Sequence, residues 1–533
     1  MRKKNENKRP KPVVLVILDG FGIAPPHQGN AISLAHTPNL DHLIATYPVK
    51  VLQAAGEYVG LRWGEMGSSQ VGHLNIGAGR IFYQPLLRLS RAISDKTFFE
   101  NEELIKAIRL AKEHKKKLHL LGLLSNAGVH SYNEHLYALL KLCKKEKYNN
   151  VFLHLILDGR DSPFNSGVKY LLDLDKILKK LKIGTIATLS GRFYAMDRDN
   201  HWDRIEKMYR AMVFSQTEKS YHNALEAIES YYEKKIFDEM IPPTIIVDND
   251  NHHCGKVENG DSIIFWNFRP DRTRELTKAF VLPGFAKFYR PYFPQLWMTT
   301  LTSYDPYLPV KVAFPDQELQ NSFSEIISKE GLSQLHVGET EKYAHVTYFF
   351  NGGKEKEFLN ETRILIPSLG VIAYNERPEM SALEITRVVE KEIDKKKYDF
   401  IVINFANADM VGHTGDLKAT IKAVEILDDM IGRIVKKVLF YDGLICITAD
   451  HGNAEEVINI QMNTINKEHS TAPVPFILVG NAYEGKNAGV GESIGTDLSL
   501  LPIHGLLSDI APTLLHCMHL SIPPEMTGNI LIE

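Results

Sequence analysis

Cysteine is scarce in this chain of 533 residues: four, at positions 143, 254, 446 and 517, with no Cys-x-x-Cys pair. A disulfide scaffold and a thiolate-held zinc ribbon are excluded, and the four read as reduced thiols of a cytoplasmic protein. Neither sign of charge dominates. Against 62 Lys and Arg stand 65 Asp and Glu, a formal net charge of −3. That balance gives no basic surface for nucleic acid and no polybasic patch for an anionic membrane. Long apolar runs are missing too. The first apolar run, 13–18, is far too short to span a bilayer, and residues 1–11 are basic and polar without the apolar core of a signal peptide. Internal repeats, coiled-coil heptads and low-complexity tracts are likewise lacking.

What is present is a globular composition, 44% hydrophobic and 24% charged, over a length that exceeds one ordinary core. At least two domains are expected. Three apolar segments each run into an aspartate: 13–18 into Asp19, 399–405 into Asp409, and 443–449 into Asp450. Strands buried on both faces have this composition, and ligand groups of parallel α/β sheets gather beyond strand carboxyl ends. A lone strand-end aspartate is more often a turn residue; three together, with histidines nearby, are a different matter. Asp409 and His413 are one helical turn apart, His451 follows Asp450, and His469 lies in a Pro-rich loop. Asp and His without thiolate suit zinc or manganese. With Ser69 joining one set, Asp19, Asp409, His413, Asp450, His451 and His469 suffice for two ions.

Ser69 belongs to the stretch Met66 to Arg80, where small residues flank the adjacent Ser68 and Ser69. Glycines let backbone and ligand approach closely. A serine at the helix start that follows would sit where backbone N–H groups and the helix dipole favour an anionic oxygen. Such a serine is either an N-cap or a nucleophile for phosphoryl transfer.

The middle of the chain differs. Its apolar segments end in Ser125–His130, in Asp158–Asp161, in a run from Ser190 to Asp199, and in one from Asn267 to Arg272. These ends supply Arg160, Arg192, Arg198, Arg269 and Arg272 together with His130. Guanidinium forks match carboxylates and phosphates, so the set suits a small, densely anionic substrate, although any one arginine could be a surface ion pair. Metal-type motifs therefore lie before about residue 80 and after about residue 400, with anion-binding motifs between them. The order predicts an α/β metal domain, 1–83 with 315–533, carrying an inserted α/β domain, 84–314. The apolar run within 341–353 reads as a strand, and Lys342 at its start either reaches a phosphate or is simply exposed.

On these motifs the chain resembles the cofactor-independent phosphoglycerate mutases of the alkaline phosphatase superfamily. The motifs that carry the resemblance are Leu18–Gly22, Val71–Arg80, Gly128–Ser131, Leu157–Asp161, Gly191–Asp199, Asn267–Arg272, Glu341–Gly353, Asp409–Gly415, Thr448–Glu455 and His469–Pro475, in that order over essentially the whole length. The resemblance implies an alkaline-phosphatase-like metal domain with an inserted second domain. It implies a monomeric, cytoplasmic isomerase of glycolysis and gluconeogenesis that interconverts 3- and 2-phosphoglycerate without 2,3-bisphosphoglycerate. The reaction would pass through a phosphoserine and use two Mn²⁺ or other divalent ions, with no nucleic-acid or membrane partner.

Matched residue by residue, Ser69 would be the nucleophile. Asp19, Ser69, Asp450 and His451 would hold one ion, and Asp409, His413 and His469 the other. His130, Arg160, Asp161, Arg192, Arg198, Arg269, Arg272 and Lys342 would bind the phosphoglycerate. The chain departs from the family pattern at Ser68, where Asn is usual, at Gln70, where an acid is usual, at Ala408 for proline and at Tyr132 for a second histidine. A metal-dependent phosphomonoesterase, a sugar-phosphate mutase or an inactive homologue on the same scaffold would share the metal motifs.

Overall fold

The strand Val13–Leu18 is apolar at every position and buried at every position, which only a strand covered on both faces can be. It lies between two parallel neighbours, Phe400–Phe405 and Leu444–Thr448. The register sets Leu18 beside Phe405 and Ile17 beside Thr448, so three chain segments leave the sheet at one edge. Gln334–Glu339 and Glu361–Ile366 extend the sheet in parallel on one side. Val474–Val479 and Val49–Gln53 extend it on the other, each antiparallel to its predecessor, and Gly505–Leu506 closes an eight-stranded order.

This sheet belongs to a compact unit formed by residues 1–84 and 318–533; residues 85–317 form a second. The computed structural model describes residues 9–253, 255–317, 319–486 and 496–532. The basic residues 1–8 and Cys254, both read above from sequence, lie outside the described residues. Cys143, Cys446 and Cys517 are buried free thiols. Among the described residues no helix is long and apolar enough to cross a membrane.

The second unit has its own eight-stranded sheet. Ser262–Phe265, Leu118–Leu124, Val151–Leu157 and Thr185–Gly191 lie side by side and parallel. Register brings Leu124, Leu157 and Gly191 level, so the loops that follow them emerge together. Both units are α/β, as the sequence pattern predicts.

One local expectation is corrected. The run within 341–353 is not a strand: Thr340–Lys342 is a 3-10 turn and His345–Phe349 a π-helical turn. The buried positions are Lys342, Val346, Thr347, Phe350 and Asn351, which recur at intervals of three and four as one helical face does. A short apolar run cannot be assigned by hydrophobicity alone, and here the spacing decides.

Candidate active site

Ser68 and Ser69 divide the two roles a serine can play at a helix start. Ser68 is the extended N-cap of the helix Ser69–Ala78, its hydroxyl accepting from Val71 N–H. Ser69 is the first helical residue, and its Oγ is left for the site. A Cβ at Gly72 would come within 2.5 Å of the Asp450 carbonyl oxygen, so this helix packs on the end of the Leu444–Thr448 strand only because residue 72 has no side chain. Gly20, with φ +75°, does the same for the loop after Val13–Leu18: a Cβ there would meet Asp409 Cα at 2.7 Å. Asp19, Ser69, Asp409 and Asp450 are thereby drawn together.

The Ser69 hydroxyl is 3.1 Å from Asp19 Oδ1, which accepts from it, and 2.9 Å from His451 Nε2. Lys342 Nζ donates to Ser69 Oγ at 2.8 Å and to both Asp19 Oδ1 and Asp409 Oδ2 at 2.6 Å. Lys342 is thus a buried ammonium between two metal-type carboxylates rather than a surface group. Burial alone would discharge it, yet Asp19 and Asp409 hold its pKa above the ordinary lysine value. The same ammonium keeps both carboxylates below theirs against the cost of burial.

The imidazoles share one arrangement. Nδ1 of His413 donates to Lys467 O at 2.6 Å, Nδ1 of His469 to Gly67 O at 2.9 Å, and Nδ1 of His451 to Gly452 O at 3.2 Å. A carbonyl only accepts, so each ring's Nε2 is left to face the carboxylates. His413 and His469 then present Nε2 to one another at 3.0 Å and to Asp409 Oδ1 at 3.2 and 3.3 Å. The His469 ring stacks on His451 with centroids 3.8 Å apart. Converging nitrogen and carboxylate lone pairs need a proton or a cation between them. Carbonyl-tethered Nδ1 with free Nε2 is the arrangement that orients metal-ligating histidines. The donors present therefore fit a divalent ion at Asp409, His413 and His469.

Asp19, Ser69, Asp450 and His451 converge beside it, and the tightest groups of potential ligand atoms are Asp409 with His451 and His469 and Asp19 with His73 and Asp450. Asp450 Oδ1 takes the N–H of Gly20 and His451, while its buried Oδ2 accepts no hydrogen bond among the described residues and lies 3.7 Å from His451 Nε2. Burial would lower the His451 pKa, but Asp450, Asp19 and Asp409 outweigh it and push it up to about 10. The hydrogen bond to Asp409 raises that of His413.

Three residues of this site were not singled out from sequence. His73 lies 3.1 Å from Asp450 Oδ2, but its Nδ1 donates to Ser69 O at 2.9 Å and its Nε2 accepts from Asn404 at 3.1 Å. Both nitrogens are committed, so His73 braces the Ser69 turn rather than offering a ligand atom. Asn404 also donates to Asp19 Oδ2 at 2.8 Å, and Asn453 to Asp409 Oδ1 at 2.9 Å. The readable signal was Asn404 itself, one amide inside an otherwise apolar strand.

In the second unit His130, Asp161, Arg192, Arg198 and Arg269 form one network through Asp158 and Asp271, while the Arg160 side chain pairs with Glu239 and Arg272 donates to Met196 O. Arg192 bridges Asp158 at 2.7 Å and Asp161 at 2.5 Å. His130 stands 3.7 Å from Asp161 and 3.5 Å from Asp271, and Asp271 also pairs with Arg198 and Arg269 at 3.1 Å. Burial, then the nearby Arg192, pushes His130 down to about 4, so its ring is neutral. Arg160, Arg192, Arg198 and Arg272 line a cavity of about 220 Å³. Burial, then the charges of Arg192, Arg198 and Arg160, lower the pKa of Arg272.

Sequence comparison adds the relatives. A family model described as the N-terminus of BPG-independent PGAM matches residues 89–306. The 2,3-bisphosphoglycerate-independent phosphoglycerate mutase of Clostridium beijerinckii is 49% identical over 523 residues, covering 98% of this chain and 99% of its own. That of Moorella thermoacetica is 49% identical over 523 residues, covering 98% of both chains. A crystal structure of Leishmania mexicana phosphoglycerate mutase at low cobalt concentration is 30% identical, spans 99% of each chain and superposes with a TM-score of 0.54.

Proposed function

The chain belongs to the 2,3-bisphosphoglycerate-independent phosphoglycerate mutases, and from that membership we propose that Ser69 carries the phosphoryl group between the two hydroxyls of glycerate. The family is metal-dependent, and the chain has metal-capable clusters. We take two Mn²⁺ as the ions, one on Asp409, His413 and His469, the other on Asp19, Ser69, Asp450 and His451. When bound, such ions supply positive charge beside the seryl oxygen and the transferring phosphoryl oxygens.

The chain's own residues do the rest. Asp19 Oδ1 accepts the hydrogen bond of the Ser69 hydroxyl and orients it, and the Lys342 ammonium stabilises the seryl oxygen as it gains negative charge. The first turn of the Ser69–Ala78 helix directs backbone N–H groups at the phosphoryl oxygens. In the second unit Arg160, Arg192, Arg198, Arg269 and Arg272, with His130 and Asp161, bind the anionic groups of the glycerate and keep it from solvent between the two transfers. The division of labour is then a metal-binding transfer domain, residues 1–83 and 315–533, and an inserted substrate domain, 84–314. The enzyme is proposed to act as a cytoplasmic monomer in glycolysis and gluconeogenesis.

The observation that carries this reading is the convergence on Ser69 Oγ of Asp19, His451 and Lys342, each within 3.1 Å. Its test is an assay of 3-phosphoglycerate after chelation and after Mn²⁺ is returned, without 2,3-bisphosphoglycerate. Isomerisation restored by Mn²⁺ supports the reading. Release of free phosphate with no isomerisation would replace it with a phosphomonoesterase.

A further inference from the structure

The arginine cavity of the second unit has a fifth guanidinium that lies at no strand end. Arg204 stands in the first turn of the helix Trp202–Phe214 and lines the cavity with Arg160, Arg192, Arg198 and Arg272. Its guanidinium carbon lies 3.9 Å from the centroid of the Phe193 ring, a stacking contact that fixes the plane of the group. Nη1 donates to Asp197 Oδ1 at 3.1 Å.

Asp197 is itself anchored. His201 Nδ1 lies 3.0 Å from its Oδ1, and its Oδ2 accepts the N–H of Asp199 at 2.9 Å and of His201 at 2.8 Å. The carboxylate is a fixed tether for one edge of Arg204. The other edge, Nε–H with Nη2–H, makes no hydrogen bond among the described residues. That edge is the side-on fork that takes two oxygens of one carboxylate or phosphate.

The cavity itself is rich in guanidinium. Five guanidiniums and three carboxylates, Asp197, Asp199 and Glu239, line the cavity, and Arg192 and Arg198 have carboxylate partners behind it in Asp158, Asp161 and Asp271.

We propose that Arg204 is a further substrate-binding residue: held flat on Phe193 and tethered by Asp197, it offers its open fork to one anionic group of the phosphoglycerate. The proposal rests on the mutase reading. Held this way, the fork is pre-oriented before substrate arrives, and little side-chain freedom is lost on binding.

The test compares wild type with Arg204→Ala, Arg204→Lys and Phe193→Leu, all Mn²⁺-loaded. Steady-state KM and kcat for 3-phosphoglycerate, its calorimetric Kd and the melting temperature are read for each. Arg204→Ala should raise KM and Kd by about 10- to 100-fold, the range of a lost charge-assisted pair, with a smaller change in kcat. Arg204→Lys should recover only part of this, since an ammonium has no fork, and Phe193→Leu should give a smaller rise in the same sense. An Arg204→Ala enzyme with a lowered melting temperature but wild-type KM and Kd would show that Arg204 only pins the 197–201 turn, and would overturn the proposal. Should the alanine variant not fold, wild-type Kd in both Arg204→Lys and Phe193→Leu would overturn it equally. If wild type fails to isomerise at all, the mutase reading falls, while the calorimetric comparison still decides whether Arg204 binds the phosphoglycerate.

Discussion

His413 and His469 face each other through their Nε2 atoms at 3.0 Å, each ring held there by a backbone carbonyl on its Nδ1. In the metal-free protein protons take the place of cations. The pKa of His413 is raised by Asp409, and that of His451 reaches about 10 against an ordinary imidazole value of 6.5. A raised folded-state pKa contributes stability that is complete below the unfolded value and is lost as pH climbs through the folded one. The metal-free melting temperature should therefore decline between pH 6.5 and about 10. Proton competition also means that apparent Mn²⁺ affinity rises across the same window. Thermal melts and metal titrations over that range check both; a metal-free melting temperature flat with pH would contradict the assignment of charged imidazoles.

Lys342 is the internal counter-ion of Asp19 and Asp409. Lys342→Met takes the ammonium away from two buried carboxylates, a loss of about 3–5 kcal/mol for a broken buried pair. The melting temperature of metal-free Lys342→Met should fall sharply, and Mn²⁺ should restore more of it than it adds to wild type. Equal metal-induced shifts in the two proteins would remove Lys342 from this role.

Ser68 and Ser69 should separate in kind. Ser68→Ala loses an N-cap, about 1 kcal/mol of stability, and slows the reaction without stopping it. Ser69→Ala should isomerise nothing while keeping its fold, because its hydroxyl caps no helix. Kinetics with circular dichroism on both variants distinguish the roles, and an active Ser69→Ala would reassign the nucleophile.

These serines also mark how far sequence reasoning reached. Asp19, Asp409 and Asp450 were legible because strands apolar on both faces reveal their own carboxyl ends. The arginines of the second unit were legible for the same reason. His73 was not, because its task depends on a helix packing across Asp450, and sequence spacing holds no such contact. Arg204 was missed because it lies inside a helix, where an arginine looks like any solvated charge. The 341–353 run reads as a strand from its apolar content, and only the spacing of its buried positions reveals the helical turns.

The guanidinium network should govern retention of the glycerate between transfers. Arg269→Ala or Arg272→Ala removes one charge from it and should raise phosphate release relative to isomerisation by about tenfold, the effect of one charge-assisted hydrogen bond. Simultaneous assay of free phosphate and 2-phosphoglycerate gives that ratio directly. A ratio unchanged from wild type would mean that other residues hold the glycerate.

The central claim is that the phosphoryl group passes through Ser69. Rapid acid quench of Mn²⁺-loaded enzyme turning over 3-phosphoglycerate, followed by proteolysis and peptide mass spectrometry, tests it. A phosphorylated peptide with the modification on Ser69 is expected, absent from Ser69→Ala and present in Ser68→Ala. A phosphoryl group found on Ser68, or full turnover with no phosphopeptide at any quench time, would contradict it.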